Sequence, residues 1–365
     1  MGVVQSKRRT KNHNLDLSSS PTRPQHASLF TERSASYTGE PTNGKRSTHH
    51  STLPRHAIRS ISDDVVLVKR NNTLAVRNNK ARRQLQPEGY VGVESTSRFL
   101  PEDWEAQDRD ISLHFALKRL LDGNLSPIAM DHLRNRVCNV VDLGCANGAW
   151  LMDMATQFPD CSFVGIEFSA QSTLVPQMLT LPNVRTETTF GKLDQHLSLE
   201  SASVDLCHMR AQGLEFDQRD WMHLLSEAYR VLKPGGLLQI VDGHFAMKGT
   251  VLIESFFDTV RTLMQEQDRE FDIALKYEQL LEQSGFQLLE KKCKTVQYAA
   301  DESSSEDFTV VSLRALENAQ ELLSERMGLD DEEYQQRVEM VCAQCVQRGS
   351  GLDWYVYVAR KPWTR

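Results

Sequence analysis

NVVDLGCANGAW, running from Asn139 to Trp150, decides the fold. Val140, Val141 and Leu143 make a short apolar strand broken by one acid, Asp142. A small-residue turn follows, with Gly144, Cys145, Ala146 and Gly148, and the pattern then becomes helical. Small residues let the backbone approach a ligand, and a helix N-terminus offers N–H groups without intrahelical partners. In an open α/β sheet such a turn belongs at the carboxyl end of a strand, where ligands bind. The next apolar run, SFVGIEF, carries Glu167 at its end, 25 residues after Asp142. A carboxylate there can accept both hydroxyls of a ribose.

The turn also discriminates between ligands. Read as a dinucleotide fingerprint, its glycine positions fall on Gly144, Ala146 and Ala149. Ala at the second position hampers the close approach of a pyrophosphate, and Asp142 would meet it as a like charge. The same acid suits a ligand carrying an ammonium group, such as the methionine half of S-adenosyl-L-methionine. A nicotinamide dehydrogenase shares the expected fold but needs a different turn.

Outward from this stretch, strands and helices alternate. The stretches Cys138 to Leu143, Ser162 to Glu167, Val184 to Thr188, Val204 to Met209 and Leu237 to Val241 read as strands, the first of them apolar. Helical spacing covers Gly148 to Phe158, Ser169 to Leu179 and a segment that Asp220 is expected to cap and Lys233-Pro234-Gly235-Gly236 to stop after Leu232. This alternation predicts a doubly wound, Rossmann-like α/β fold with a parallel sheet covered on both faces. Upstream, Glu102 to Leu121 and Pro127 to Asn135 are expected helices forming a cap. Downstream, Val251 to Gln267 and Ile273 to Ser284 are helical, a strand starts near Phe286, and Asp301 to Asp307 reads as an acidic loop. Two inserted helices, about Phe308 to Met327 and Asp330 to Gln347, are expected to lie over the ligand crevice as a lid before a final strand, Leu352 to Ala359.

Composition divides the chain in two. Residues 1–89 are rich in Ser, Thr, Asn, Pro and Arg without sustained period, the signature of a disordered basic tail. Val65 to Val76 alone is β-prone and could form a marginal hairpin. Residues 1–90 hold 16 Lys/Arg against 6 Asp/Glu, so totals of 42 and 49 leave the rest of the chain acidic. The expected domain therefore spans 90–365: a helical N-terminal cap at 102–136, a cofactor-binding core at 137–243, and a C-terminal part with helical insertion at 244–365. An acidic body argues against a nucleic-acid-binding surface there. The seven cysteines are an odd number scattered through apolar segments and read as buried small side chains, not a disulfide framework. Cys342 and Cys345 make one CxxC without a second pair, which reads as helix packing.

VVDLGCANG, FVGIEFS, SVDLCHMR and AYRVLKPGGLLQIVDG, in that order between Val140 and Gly243, resemble the successive motifs of class I S-adenosylmethionine-dependent methyltransferases. LPEDWEAQDRDISLH, Leu100 to His114, and WLMDMATQFPD resemble the fungal members related to the velvet-complex regulator of secondary metabolism. The resemblance implies a mostly parallel seven-stranded sheet with an antiparallel last strand, and S-adenosyl-L-methionine as cofactor. It places Asp142, Gly144, Cys145, Ala146 and Gly148 around the methionine moiety, Glu167 on the ribose and Phe168 on the adenine. The acid that the family carries near the adenine amine has no direct match in FGKLDQHL, where Lys192 stands and Asp194 is the nearest substitute.

Methyl transfer from a sulfonium needs alignment more than acid–base chemistry, and a base matters only for an acceptor that must lose a proton. His208 and Arg210 after the fourth strand, and Asp242 and His244 after the fifth, are expected to face the crevice, with His208 and His244 as the candidate bases. Arg109, four residues after Glu105, can pair with it on a helix or act as counter-ion to the cofactor carboxylate. The acceptor, a small molecule or a protein, carries no motif. The alternative is a weakly catalytic or non-catalytic cofactor-binding regulator or scaffold within a protein complex that controls metabolism. MGVVQSKRR matches the N-myristoylation pattern at Gly2, followed by basic residues suited to an anionic membrane surface. The expected location is cytoplasmic, membrane-associated through an acylated Gly2, or nuclear through the basic clusters.

Overall fold

The computed structural model describes residues 104–168, 181–189, 196–298 and 303–363, without the side chains of 104–107 and 303–304. The tail with Gly2, the 65–76 hairpin, the helix expected at Ser169 to Leu179, the side chain of Glu105, and Lys192 and Asp194 lie outside these residues.

Seven strands form one sheet: β1 (Asn139–Leu143), β2 (Ser162–Glu167), β3 (Val184–Thr188), β4 (Val204–Arg210), β5 (Leu232–His244), β6 (Gln287–Gln297) and β7 (Gly351–Arg360). Their order is β3-β2-β1-β4-β5-β7-β6, with β1 to β5 parallel and β7 antiparallel to both neighbours. The chain winds outward from β1 to β3 and returns beside β1 as β4. The reversal opens a crevice at the carboxyl ends of β1 and β4. Val140 belongs to one core cluster, whereas Val141 and Leu143 belong to the other. Both sheet faces are thus buried, which explains why the strand reads as a continuous apolar run.

The helices are α1 (Trp104–Leu120), α2 (Pro127–Leu133), α3 (Ala149–Gln157), α4 (Gln218–Val231), α5 (Val251–Glu266), α6 (Ile273–Gln283), α7 (Ser303–Asn318), α8 (Gln320–Met327) and α9 (Asp331–Arg348). The cap of α4 is Asp217, not Asp220: the Asp217 carboxylate accepts from the N–H groups of Arg219 and Asp220. Two acids three apart can each serve the first turn, and only the approach of the preceding chain selects between them. The strand expected at Leu237 begins instead at Leu232. The Lys-Pro-Gly-Gly segment is drawn into it because Gly235 N donates to Lys361 O and Lys361 N to Gly236 O.

The insertion between β6 and β7 differs from expectation in two ways. The supposed acidic loop is helical from Ser303, and the expected single helix breaks at Ala319 into α7 and α8. Because β6 runs parallel to β5, the insertion leaves the sheet at the same edge as the Gly144–Gly148 turn. Helix α1 reaches that edge through a hydrogen bond between His114 and Arg210, and α7 packs along α1. Arg119 pairs with Asp307 at 2.5 Å and Arg314 with Asp108 at 3.3 Å along this seam. The inserted helices therefore buttress a cap formed by the N-terminal helix. No helix among the described residues is long and apolar enough to cross a membrane.

Candidate cofactor and acceptor site

Gly144 leaves β1 with φ +75° and Gly148 enters α3 with φ +80°, conformations that side chains disfavour. Ala146 between them also has positive φ, +47°. Its N–H donates to Glu167 Oε2 at 2.7 Å, while Phe168 N donates to Oε1 at 2.9 Å. Glu167 at the end of β2 is thus held by backbone donors and in turn holds the strained turn of β1. Cys145 is buried, its N–H bonded to Ile166 O. An added Cβ on Gly144 would lie 2.4 Å from Cδ of Gln212, whose amide donates to the carbonyls of Gly144 and Arg210 at 3.1 and 3.0 Å. Gln212 was not singled out from sequence, because nothing in a lone Gln after a strand marks it.

Asp142 and His208 face each other across β1 and β4, in register, with His208 Nδ1 to Asp142 Oδ1 at 2.8 Å. The His208 ring stacks on Trp150, centroids 3.8 Å apart and 3° from parallel. His208 is 0% exposed, and burial pulls its pKa down against the pull of Asp142. The expectation that His208 faces the crevice is therefore corrected: it lies beneath the turn, sealed by Trp150, and orients Asp142. Asp242 is likewise buried. It accepts from Tyr277 Oη at 2.7 Å and Gly243 N at 2.8 Å, and burial pushes its pKa up to about 6. It anchors α6 to the sheet and does not reach the crevice.

Arg210 and His244 are only partly buried. Arg210 Nη1 donates to His114 Nδ1 on α1 at 2.9 Å. His114 Nε2 lies 3.4 Å from Asp153 Oδ2, which also accepts from Lys118 Nζ at 2.5 Å and Asn124 Nδ2 at 2.7 Å. Burial and the neighbouring Arg210 lower the His114 pKa to about 4, so its ring is neutral near pH 7. This network fastens the cap helix to β4 and α3. His244 Nε2 contacts Asp272 Oδ1 at 2.8 Å, and Asp272 also pairs with Arg261. Although burial alone would raise it, these two partners hold the Asp272 pKa below the ordinary carboxylate value.

Arg109 lies elsewhere. Its guanidinium pairs with Asp110 at 3.3 Å, and Nη1 reaches the side-chain oxygen of Asn318 at 3.1 Å when that amide is oriented for its bonds. It belongs to the α1–α7 seam. Phe168 is buried edge-on to Phe216, centroids 5.5 Å apart. Cys345 Sγ donates to Met247 Sδ at 3.7 Å, and burial pushes the Cys342 and Cys345 thiols up to about 12 and 11, which suits packing.

The donor set fits the polar half of a methyl-donor nucleoside: an acid for an ammonium at the end of β1 and an acid for ribose hydroxyls at the end of β2. Between them, Gly144 lacks a Cβ, and the group against it is the movable end of Gln212. Strand order, turn and paired carboxylates together define the class I methyltransferase fold.

Residues 140–236, the core that carries the turn and both acids, match the methyltransferase domain family. Secondary metabolism regulator laeA of Coprinopsis cinerea is 29% identical over 154 residues, 40% of this chain and 35% of that protein. Methyltransferase pytC of Aspergillus terreus is 25% identical over 211 residues, 55% of this chain and 61% of its own length. The chain thus spans between about a third and two thirds of these curated relatives. An N-methyltransferase 2 of Haemonchus contortus, solved with S-adenosylhomocysteine, superimposes with TM-score 0.42 at 16% identity, over 71% of this chain and 58% of that one.

Proposed function

We propose that the protein is an S-adenosyl-L-methionine-dependent methyltransferase acting on a small-molecule or protein acceptor. The observation that carries this reading is the coupling of Asp142 and Glu167 through one strained turn, the Ala146 N–H bonded to Glu167 Oε2. S-adenosyl-L-methionine, when bound, supplies a methyl group on a sulfonium that is already a strong electrophile. Asp142, fixed by His208, takes the ammonium end, and Glu167 takes the ribose hydroxyls. Helix α1, braced by α7, excludes water from the crevice. His244 is the better placed of the two histidines to hold a proton from a protic acceptor. Its Nε2–H donates to Asp272, leaving Nδ1 as the acceptor atom. Asp272 stabilises the imidazolium that forms.

Calorimetric titration of the full chain with S-adenosyl-L-methionine and S-adenosylhomocysteine tests the cofactor assignment. Saturable binding, weakened at least tenfold in Glu167→Ala, is expected. No heat from either ligand up to millimolar concentration would end the reading.

A second reading, a regulator that binds the cofactor and works through a protein complex, is supported by the names of relatives such as laeA and by the sealed position of His208. Transfer of a radiolabelled methyl to any extract fraction favours the enzyme. Cofactor binding without transfer favours the regulator.

A further inference from the structure

The guanidinium of Arg210 is poorly matched by the protein around it. It stands at the end of β4, one strand from the Gly144 turn, and Gln212 bonds to the carbonyls of both residues. An arginine carries five N–H donors and no acceptor. Among the described residues the only hydrogen-bond partner of this guanidinium is His114 Nδ1, at 2.9 Å. An imidazole that accepts at Nδ1 carries its proton on Nε2, here directed to Asp153. His114 is therefore neutral and gives the arginine no counter-charge.

The acids nearby are engaged by other groups. Asp142 is taken by His208, Asp110 by Arg109, and Asp153 by Lys118 and Asn124. None makes an ion pair with Arg210 among the described residues. Burial lowers the Arg210 pKa, and the pull of Asp142, Asp110 and Asp153 works against that. A half-buried guanidinium with no anionic partner can accept one, and its planar fork matches a carboxylate in shape and charge. Beside it, Asp142 presents the opposite charge on the neighbouring strand. One cation and one anion at the ends of adjacent strands complement the zwitterionic end of an amino acid.

We propose that Arg210, and not Arg109, binds the α-carboxylate of the cofactor's methionine end, with His114 holding the guanidinium in place from the cap helix. Asp142 takes the ammonium of the same group. The pair makes the site selective for a ligand bearing a free amino acid, and the His114 bond couples that recognition to the seating of the cap. This inference rests on the cofactor reading above.

The test compares S-adenosyl-L-methionine with its decarboxylated analogue, which lacks only the carboxylate, by calorimetry on the full chain. Wild type is expected to bind the complete cofactor at least tenfold more tightly than the analogue. Arg210→Met should bind both alike, near the wild-type affinity for the analogue. Arg210→Lys, which keeps the charge and loses the fork, should weaken S-adenosyl-L-methionine while leaving the analogue unchanged. Equal affinity of wild type for the two ligands, or full discrimination in either variant, overturns the assignment. Failure of wild type to bind S-adenosyl-L-methionine or S-adenosylhomocysteine overturns the cofactor reading itself, and this one with it.

Discussion

Replacing His114 by Asn exposes how the cap helix is tied to the core. The amide oxygen of Asn stands where Nδ1 accepts from Arg210, but Asn does not titrate. His114 is 1% exposed, and its pKa falls from 6.5 to about 4 through burial and the charge of Arg210. Between those values the unfolded chain binds a proton that the native state refuses, so acid favours unfolding. The penalty is nearly absent at pH 7, about 2 kcal/mol at pH 5, and about 3 kcal/mol near pH 4, where both states protonate. Urea unfolding of wild type and His114→Asn at pH 7, 6 and 5 measures it. The variant's stability relative to wild type should rise by about 2 kcal/mol over that range. Curves that stay parallel within about 0.5 kcal/mol would show that His114 is not held neutral, and the Arg210 hydrogen bond would have to be redrawn.

Asp242 should show the opposite sign. Its pKa is raised from 3.8 to about 6 by burial, so its native state gains protons first and wild type gains about 2 kcal/mol over Asp242→Asn between pH 7 and 4; a flat difference in the same urea series would contradict this. Gly144→Ala should destabilise by about 1–2 kcal/mol, because the φ of +75° disfavours any Cβ. Adding Gln212→Ala should recover only the contact part of that loss, and complete recovery in thermal melts would mean that the backbone is not strained. Asp217→Ala should cost about 1 kcal/mol through the lost cap of α4, whereas Asp220→Ala should cost less. The reverse ranking in urea titrations would restore Asp220 as the cap.

Much of the architecture was legible in one dimension because both faces of the sheet are buried. β2 begins and ends where the apolar run of Ser162 to Glu167 does. Asp142, the small turn and Glu167 could be found because local chemistry sets them: positive φ demands small residues, and strand ends at a switch point collect ligand groups. Helix α7 was partly misread, since Asp301 to Asp307 looks like a solvated loop until Arg119 meets Asp307 across 188 residues.

Local pattern carries the periodic part: an alternating α/β chain, a ligand turn after β1, an acid at the end of β2, and a cap upstream. The tertiary structure alone decided which polar groups are spent on one another. His208 and His244 look alike in the chain, both near the end of a strand. Trp150 seals one against Asp142, and the other stays partly open beside Asp272. Arg109 and Arg210 are equally plausible counter-ions in a string of letters. Asp110 and Asn318 occupy the first, and among the described residues the guanidinium of the second finds only a neutral imidazole. Pairing over long sequence separations depends on packing distances that no local pattern records, and it is that pairing that leaves Arg210 as the cation for an incoming anion.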